Sequence, residues 1–251
     1  MIGIFIVARL GSTRLHNKHL ITVAQKSFIE WLVLRMVNEF GNEIKTNRLK
    51  IFITTSTNPE NKKFEYVLRK QPVTVFYGSN SNIPLRQLQC AIENNINYII
   101  SIDGDDILCS VDAARKVMDK LVEGHDILKT EGLPLGMNVM GYATKFLQQA
   151  LNSHTNQQKL ETGWGRIFPT EQIKIVNYNQ RHEQYKLRFT LDYIEDAEFF
   201  KKIINDLKDN ILFIDDSELI KYVFDNQIFK INSFLNDEYW NNFTRETENE
   251  N

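Results

Sequence analysis

Hydrophobic positions along the chain follow two alternating periods. Ile2 to Ala8, Leu49 to Thr55, Val73 to Phe76 and Tyr98 to Asp103 are short, almost wholly apolar runs, the pattern of strands buried on both faces of a parallel sheet. Between them apolar residues recur every three or four positions: Ile29, Leu32, Val33, Met36, Val37 and Phe40 form one stripe of a helix over Phe28 to Phe40, closed by Gly41. The same periods predict helices from the polar loop at 55–60 through Leu68, and over Pro84 to Glu93, Ser110 to Glu123, Thr144 to Leu151, Gln157 to Phe168 and Asp216 to Phe224. They predict strands over Asp126 to Thr130, Met137 to Tyr142, Ile173 to Tyr178 and Leu187 to Asp192, the last followed by a helix. Strands alternating with helices give an α/β class with a mostly parallel sheet flanked by helices. We expect one domain over 1–237 with a small lobe at about 134–183, and a polar tail, 238–251, that frays.

Composition narrows the function classes. The chain has 251 residues with 42% hydrophobic content, enough for a substantial core. Its 30 basic and 32 acidic side chains leave a net charge of −2, so nothing marks a nucleic-acid track, although a local cationic pocket is compatible with that balance. Cys90 and Cys109 stand apart without metal spacing or a disulfide framework and read as buried thiols in a reducing compartment. Met1 runs straight into strand residues, and no apolar run approaches the roughly 20 residues of a membrane span. The expectation is a cytoplasmic protein without a membrane partner.

Candidate chemistry sits at the predicted carboxyl ends of the strands, where ligands bind in open α/β sheets. After the first strand come Arg9, Arg14 and Lys18 with Gly11, Ser12 and Thr13 among them, cations and small residues suited to polyphosphate oxygens. The spacing is neither a P-loop nor a dinucleotide fingerprint, because no Gly-Lys-Ser/Thr closes it and Gly11 lacks glycine partners two and five residues on. Arg86 lies in the first turn of a helix, where the dipole disfavours a cation, so it needs a compensating partner; an exposed arginine lying on the surface is the bland alternative. Asp103-Gly104-Asp105-Asp106 at the end of the fourth strand is an oxygen-only cluster that suits Mg²⁺, while Asp106 or Ser110 also serves as a cap for the helix that follows. Trp164 and Arg166 between and after glycines read as an acceptor or dimer contact or as simple packing, and His182 as a solvated loop residue. The helix dipole accounts for Glu195 and Asp196 but leaves Asp192 unexplained.

Ala8-Arg9-Leu10-Gly11-Ser12-Thr13-Arg14-Leu15, with Lys18 and Leu20, resembles the signature of the cytidylyltransferases that make CMP-activated acidic sugars, the CMP-Kdo and CMP-sialic acid synthetases and their spore-coat-polysaccharide relatives. The resemblance extends over about the first 205 residues. It implies a Rossmann-like fold of the nucleotide-diphospho-sugar transferase type, with Ala8, Leu10, Gly11, Ser12 and Arg86 binding nucleotide, and Arg9, Arg14 and Lys18 acting on the phosphates. It also implies Asp105 and Asp192 as Mg²⁺ ligands, with Asp103 supporting them from behind or as an alternative ligand. The chain departs from the family pattern at His16-Asn17, where relatives have proline and glycine, at Ile107, at Glu161-Thr162-Gly163-Trp164, and at Tyr193-Ile194.

By resemblance, then, the substrates are CTP and an acidic sugar, Kdo or a nonulosonic acid, the product a CMP-sugar for surface polysaccharide or lipopolysaccharide, and the protein a homodimer. An acceptor hydroxyl attacks the α-phosphorus in line while the cations stabilise departing pyrophosphate. Two alternatives stay open: a glycosyltransferase using Asp103-Gly104-Asp105 as its metal-diphosphate motif, and a non-catalytic nucleotide-binding homologue, motivated by the departures.

Overall fold

Strand β1 (Ile2–Val7) is buried from Gly3 to Ile6, with Ile4 and Ile6 in one apolar cluster and Phe5 in another, so it has a packed layer on each side. The computed structural model describes residues 1–154, 159–178 and 186–250. After β1 the chain makes a small hairpin, β2 (Thr22–Val23) and β3 (Lys26–Ser27), which delivers Ser27 as N-cap of α1 (Phe28–Glu39). Ser27 and Glu30 close a full capping box there, fixing the helix start. A short α2 (Gly41–Lys45) leads into β4 (Leu49–Ser56), then α3 (Lys63–Leu68), β5 (Val73–Gly78), α4 (Ile83–Glu93) and β6 (Tyr98–Asp103). Next come α5 (Val111–Val122), capped by Ser110, then β7 (Ile127–Glu131), β8 (Met140–Ala143), α6 (Thr144–Ser153), β9 (Lys174–Asn177), α7 (Ile194–Leu207), α8 (Asp216–Asp225) and α9 (Asn236–Glu248).

Seven strands form one sheet in the order β5-β4-β1-β6-β8-β7-β9. The strands β5, β4, β1 and β6 are mutually parallel, β8 runs antiparallel to β6 and β7, and β9 is parallel to β7. The sheet is thus mostly parallel, and the expected α/β class holds. Helices α1, α5 and α7 pack with Ile4, Ile6, Ile51 and Ile53 on one face, and α4 and α6 with Phe5 and Phe52 on the other. Val7 is in register with both Thr54 and Asp103, which aligns the carboxyl ends of three neighbouring strands. The stretch 134–183, expected as a lobe, contributes β8 and β9 to this same sheet. Among the described residues no helix is long and apolar enough to cross a membrane.

Three expectations are corrected. Over Gln157 to Phe168 the described part is a single 3-10 turn, Trp164–Ile167, because Gly163 takes a left-handed conformation (φ 61°) that breaks a helix. His182, and part of that same stretch, lie outside the described residues. Leu187 to Asp192 is not a ladder strand; all six residues are buried and only Arg188 bridges, to Leu135. The polar tail, expected to fray at its end, is instead helical as α9 through Glu248 with Glu250 buried beyond it, held by contacts described below.

The segment at 187–192 is held close to the loop before β8 by Gly136. Its φ is +85°, and a Cβ there would lie 2.2 Å from the carbonyl oxygen of Phe189, whose N–H donates to Leu135 O at 2.7 Å. Gly136→Ala therefore combines a strained conformation with a backbone clash, and should destabilise the fold by about 2–4 kcal/mol in urea unfolding. A loss under about 1 kcal/mol would show that the two segments are not rigidly apposed.

Candidate active site

A cleft of about 550 Å³ opens at the carboxyl ends of β1 and β6. The chain leaves β1 through Ala8, whose N–H donates to Thr54 O, and turns at Leu10, whose N–H donates to the buried Asn61 Oδ1 at 2.9 Å. Asn61 is itself fixed by donating to Ser56 O and Oγ. Ser12 N–H donates to Leu10 O, and Ser12 Oγ accepts from Leu15 N–H, so the loop is wound tightly. Asn17, at the place where the signature it resembles has glycine, takes the left-handed conformation glycine would supply (φ 52°, ψ 29°). The substitution therefore preserves the turn that delivers Lys18.

Lys18 is 5% exposed, and its ammonium lies 2.7 Å from Asp105 Oδ2 and 3.1 Å from Asp192 Oδ1. The loop after β6 and the 187–192 segment are tied together by the Leu191 N–H, which donates to Asp105 O at 2.9 Å. Arg14 reaches Asp192 at 3.2 Å and Glu246 of α9 at 3.3 Å, and Arg9 pairs with Glu161. Arg86 is fully buried, not lying on the surface: its Nε donates to Ser79 O at 2.8 Å, and among the described residues Nη2 has no hydrogen-bond partner. Burial is the main reason its guanidinium falls to about 10. A buried guanidinium lining the cleft with an unpaired nitrogen is a made anion contact.

Of the residues expected from sequence, Ala8, Arg9, Gly11, Ser12, Arg14, Lys18, Arg86, Asp105 and Asp192 all line this one cleft. Leu10 does not. Its side chain is wholly buried in the core and its N–H is already spent on Asn61, so it shapes the loop without facing a ligand.

The carboxylates are differentiated by their neighbours. Burial works to raise Asp105, but the Lys18 ammonium and the His19 ring, with Nε2 at 2.9 Å, overcome it and hold the carboxyl well below the usual range. Asp103 opens onto the cleft; the loss of water around it and the Asp105 charge push it up to about 6, against the Lys18 ammonium. Burial, Asp103 and Asp105 likewise raise Asp106. Asp192 is clamped from both sides, because its Oδ2 accepts from Arg188 at 3.2 Å while Oδ1 faces Lys18 and Arg14. Arg188 is in turn held by Asp196, at 2.8 and 3.0 Å, and lies over the Tyr239 ring at 4.6 Å.

Sequence reasoning missed His19, Glu161, Arg188, Tyr239 and Glu246. His19 lies next to Lys18 inside the basic stretch, and its position was the available signal. Glu161 and Arg188 lie in stretches the sequence did single out, but for other residues; Tyr239 and Glu246 reach the cleft from the polar C-terminal stretch, which carries no motif.

Comparison with known proteins accords with this geometry. A family model described as Cytidylyltransferase matches residues 3–227. An uncharacterized protein of Methanocaldococcus jannaschii is 26% identical over 235 residues, covering 89% of this chain and 93% of that protein. A cytidylyltransferase from Leptospira borgpetersenii serovar Hardjo-bovis superposes with a TM-score of 0.76 at 23% identity, over 91% of this chain and 95% of that one. A CMP:2-keto-3-deoxy-manno-octonic acid synthetase complexed with CTP superposes with a TM-score of 0.58 at 13% identity, over 82% and 98%. The matched stretch takes in the whole basic loop, Arg86, Asp105 and Asp192, and the chain belongs to the cytidylyltransferase family of nucleotidyltransferases.

Proposed function

We propose that this chain transfers CMP from CTP to an acidic sugar of the Kdo or nonulosonic acid class, releasing pyrophosphate, in surface polysaccharide or glycan biosynthesis, and that it does so as a homodimer. The observation that carries the reading is the convergence of Arg9, Arg14, Lys18 and Arg86 with Asp105 and Asp192 on one cleft. Cations for departing phosphates beside carboxylates for a divalent ion describe nucleotidyl transfer. The neighbour that holds CTP makes a CMP-linked sugar acid, which supports both the base and the acceptor class.

The donor set fits Mg²⁺. Asp105 and Asp192 converge on the Lys18 ammonium, so an ion would join them as that ammonium turns to phosphate, and among the described residues no group of three or more His, Cys, Asp or Glu forms a cage. Two carboxylates with remaining positions left to phosphate and water are what Mg²⁺ commonly takes. When bound, the ion would neutralise phosphate charge and make an acceptor hydroxyl more acidic. The chain's own groups do the rest. Arg14 and Lys18 are positioned by Asp192 and Asp105 to meet phosphate oxygens, Arg86 offers its unpaired nitrogen, and Arg188 keeps Asp192 in place.

The direct test is pyrophosphate release with Mg²⁺ and each of the four NTPs against a panel of acidic and neutral sugars. Release with CTP and a sugar acid alone is the expected result. Equal release with another NTP, preference for a neutral sugar, or hydrolysis of nucleotide sugars without any CTP turnover would overturn it.

A further inference from the structure

Helix α9 lies beyond the family-matched stretch 3–227, yet it reaches into the cleft. It is pinned at both ends. Near its start the Tyr239 ring carries the Arg188 guanidinium, and Asn242 donates to Tyr193 Oη at 2.9 Å. Just past its end the buried Glu250 accepts the N–H groups of Glu161 and Thr162 at 3.2 and 2.8 Å. Between these anchors no residue of α9 is fully buried, and the helix turns Phe243 and Glu246 toward the cleft.

Glu246 has two partners: Oε1 accepts from Arg14 Nη1 at 3.3 Å, and Oε2 from Thr162 Oγ1 at 3.2 Å. Arg14 is thus shared, one terminal nitrogen on Asp192 and the other on Glu246. A guanidinium binds a phosphate most strongly through two parallel N–H donors, so a phosphate that takes both terminal nitrogens of Arg14 competes with the Glu246 and Asp192 carboxylates for them. The Arg14 and Glu246 side chains are 32% and 43% exposed, which makes theirs a weak pair that a multiply charged phosphate displaces easily.

We infer that Glu246 is an internal competitor for Arg14: it yields the guanidinium to the nucleotide's phosphates and reclaims it from pyrophosphate, setting how tightly the product is held. This rests on the reading of residues 9–18 as a polyphosphate loop. Because α9 is anchored elsewhere, the exchange needs a side-chain rotation and no unfolding of the helix.

The experiment is calorimetric titration of the full chain with inorganic pyrophosphate and with tripolyphosphate, comparing wild type, Glu246→Gln and Glu250→Gln. Product inhibition by pyrophosphate is measured in parallel. Glu246→Gln should bind both anions about threefold to tenfold more tightly, and pyrophosphate inhibition should strengthen by the same factor. Glu250→Gln, which loosens the helix anchor without changing the charge on Arg14, should stay within about twofold of wild type. A gain in affinity is not what structural damage produces. Unchanged or weaker binding by Glu246→Gln would sink the inference, as would equal tightening in both variants, which would assign the effect to anchoring. If neither anion binds any of the three proteins, the polyphosphate reading of the loop falls and takes this inference with it.

Discussion

Lys18→Met should lower kcat/KM for nucleotidyl transfer about a hundredfold to a thousandfold, the range seen when one preorganised charge-stabilising donor is removed. Methionine keeps most of the stem's volume and deletes only the ammonium, so packing around residue 18 is nearly conserved. What remains is a pair of carboxylates, Asp105 and Asp192, that had shared one cation at 2.7 and 3.1 Å. Stripping the partner from a wholly buried carboxylate costs about 3–5 kcal/mol. Asp192 is buried, but Asp105 is 31% exposed and keeps some water, so about 1–3 kcal/mol is expected from urea unfolding. Burial alone would lower the Lys18 amine, and Asp105 and Asp192 outweigh it, raising it above its ordinary 10.5. The sign follows: its stabilising contribution is complete below that ordinary value and is lost only as pH climbs through the higher folded one. The depressed Asp105 gives the opposite edge, its contribution present above the ordinary 3.8 and lost as pH falls through its folded value. Between pH 8 and 9, above the titration of Asp103, which Lys18 helps to hold down at about 6, the stability gap between wild type and Lys18→Met should therefore be flat. A gap that closes within that window would mean the ammonium is not held by these two carboxylates.

Features decided by local pattern were legible in the sequence. The all-apolar run at 2–8 can only be a strand with two covered faces, and a loop rich in cations at its end announces itself within ten residues. The carboxylate cluster at 103–106 was visible because it closes a predicted strand, and Asp192 because the helix dipole left it unexplained; it took the resemblance to single out Asp105 within the cluster. Leu10 was carried along by its place in the motif, although an apolar side chain between Arg9 and Gly11 is better used to anchor the turn in the core. The segment at 187–192 alternates apolar and polar residues as an edge strand does. Alternation predicts one wet face, and here both faces are dry: Arg188, Thr190 and Asp192 are buried because they satisfy one another's neighbours across the chain. That burial depends on contacts that span much of the sequence. Arg14 meets Asp192 across 178 positions and Glu246 across 232, distances over which periodicity and spacing carry no signal. The polar C-terminal stretch illustrates the same limit. Its composition fits a fraying tail, and only the cleft beneath it, with Arg188, Arg14 and two open N–H groups, gives its polar residues partners and orders it.

Asp196→Asn should be the most destabilising single-atom exchange in the molecule, at about 3–5 kcal/mol in urea unfolding. The dipole of α7 would make Asp196 one interchangeable member of an acidic first turn, with Glu195 its equal. The structure separates them. Asp196 is wholly buried, and its two oxygens accept from Arg188 Nε and Nη2, from the N–H groups of Asp192 and Tyr193, and from Asn232 Nδ2. An amide in its place removes the charge opposite a fully buried guanidinium and turns an NH₂ toward donors of which the Asp192 and Tyr193 N–H groups have, among the described residues, no other acceptor. Glu195→Gln, on the solvent side of the same turn, should cost no more than about 0.5 kcal/mol. The Asp196 change also reaches the chemistry. Arg188 would lose its bidentate partner, Asp192 its hold at Oδ2, and with them the fixed point on which Lys18 and Arg14 converge. Pyrophosphate release by Asp196→Asn should accordingly fall by at least tenfold at temperatures where the variant is still folded, while Glu195→Gln stays within about twofold of wild type. If both variants lose stability and activity alike, the dipole was the whole reason for the acidic turn. If only Asp196→Asn does so, the buried Arg188–Asp196 pair is what carries Asp192 into the cleft.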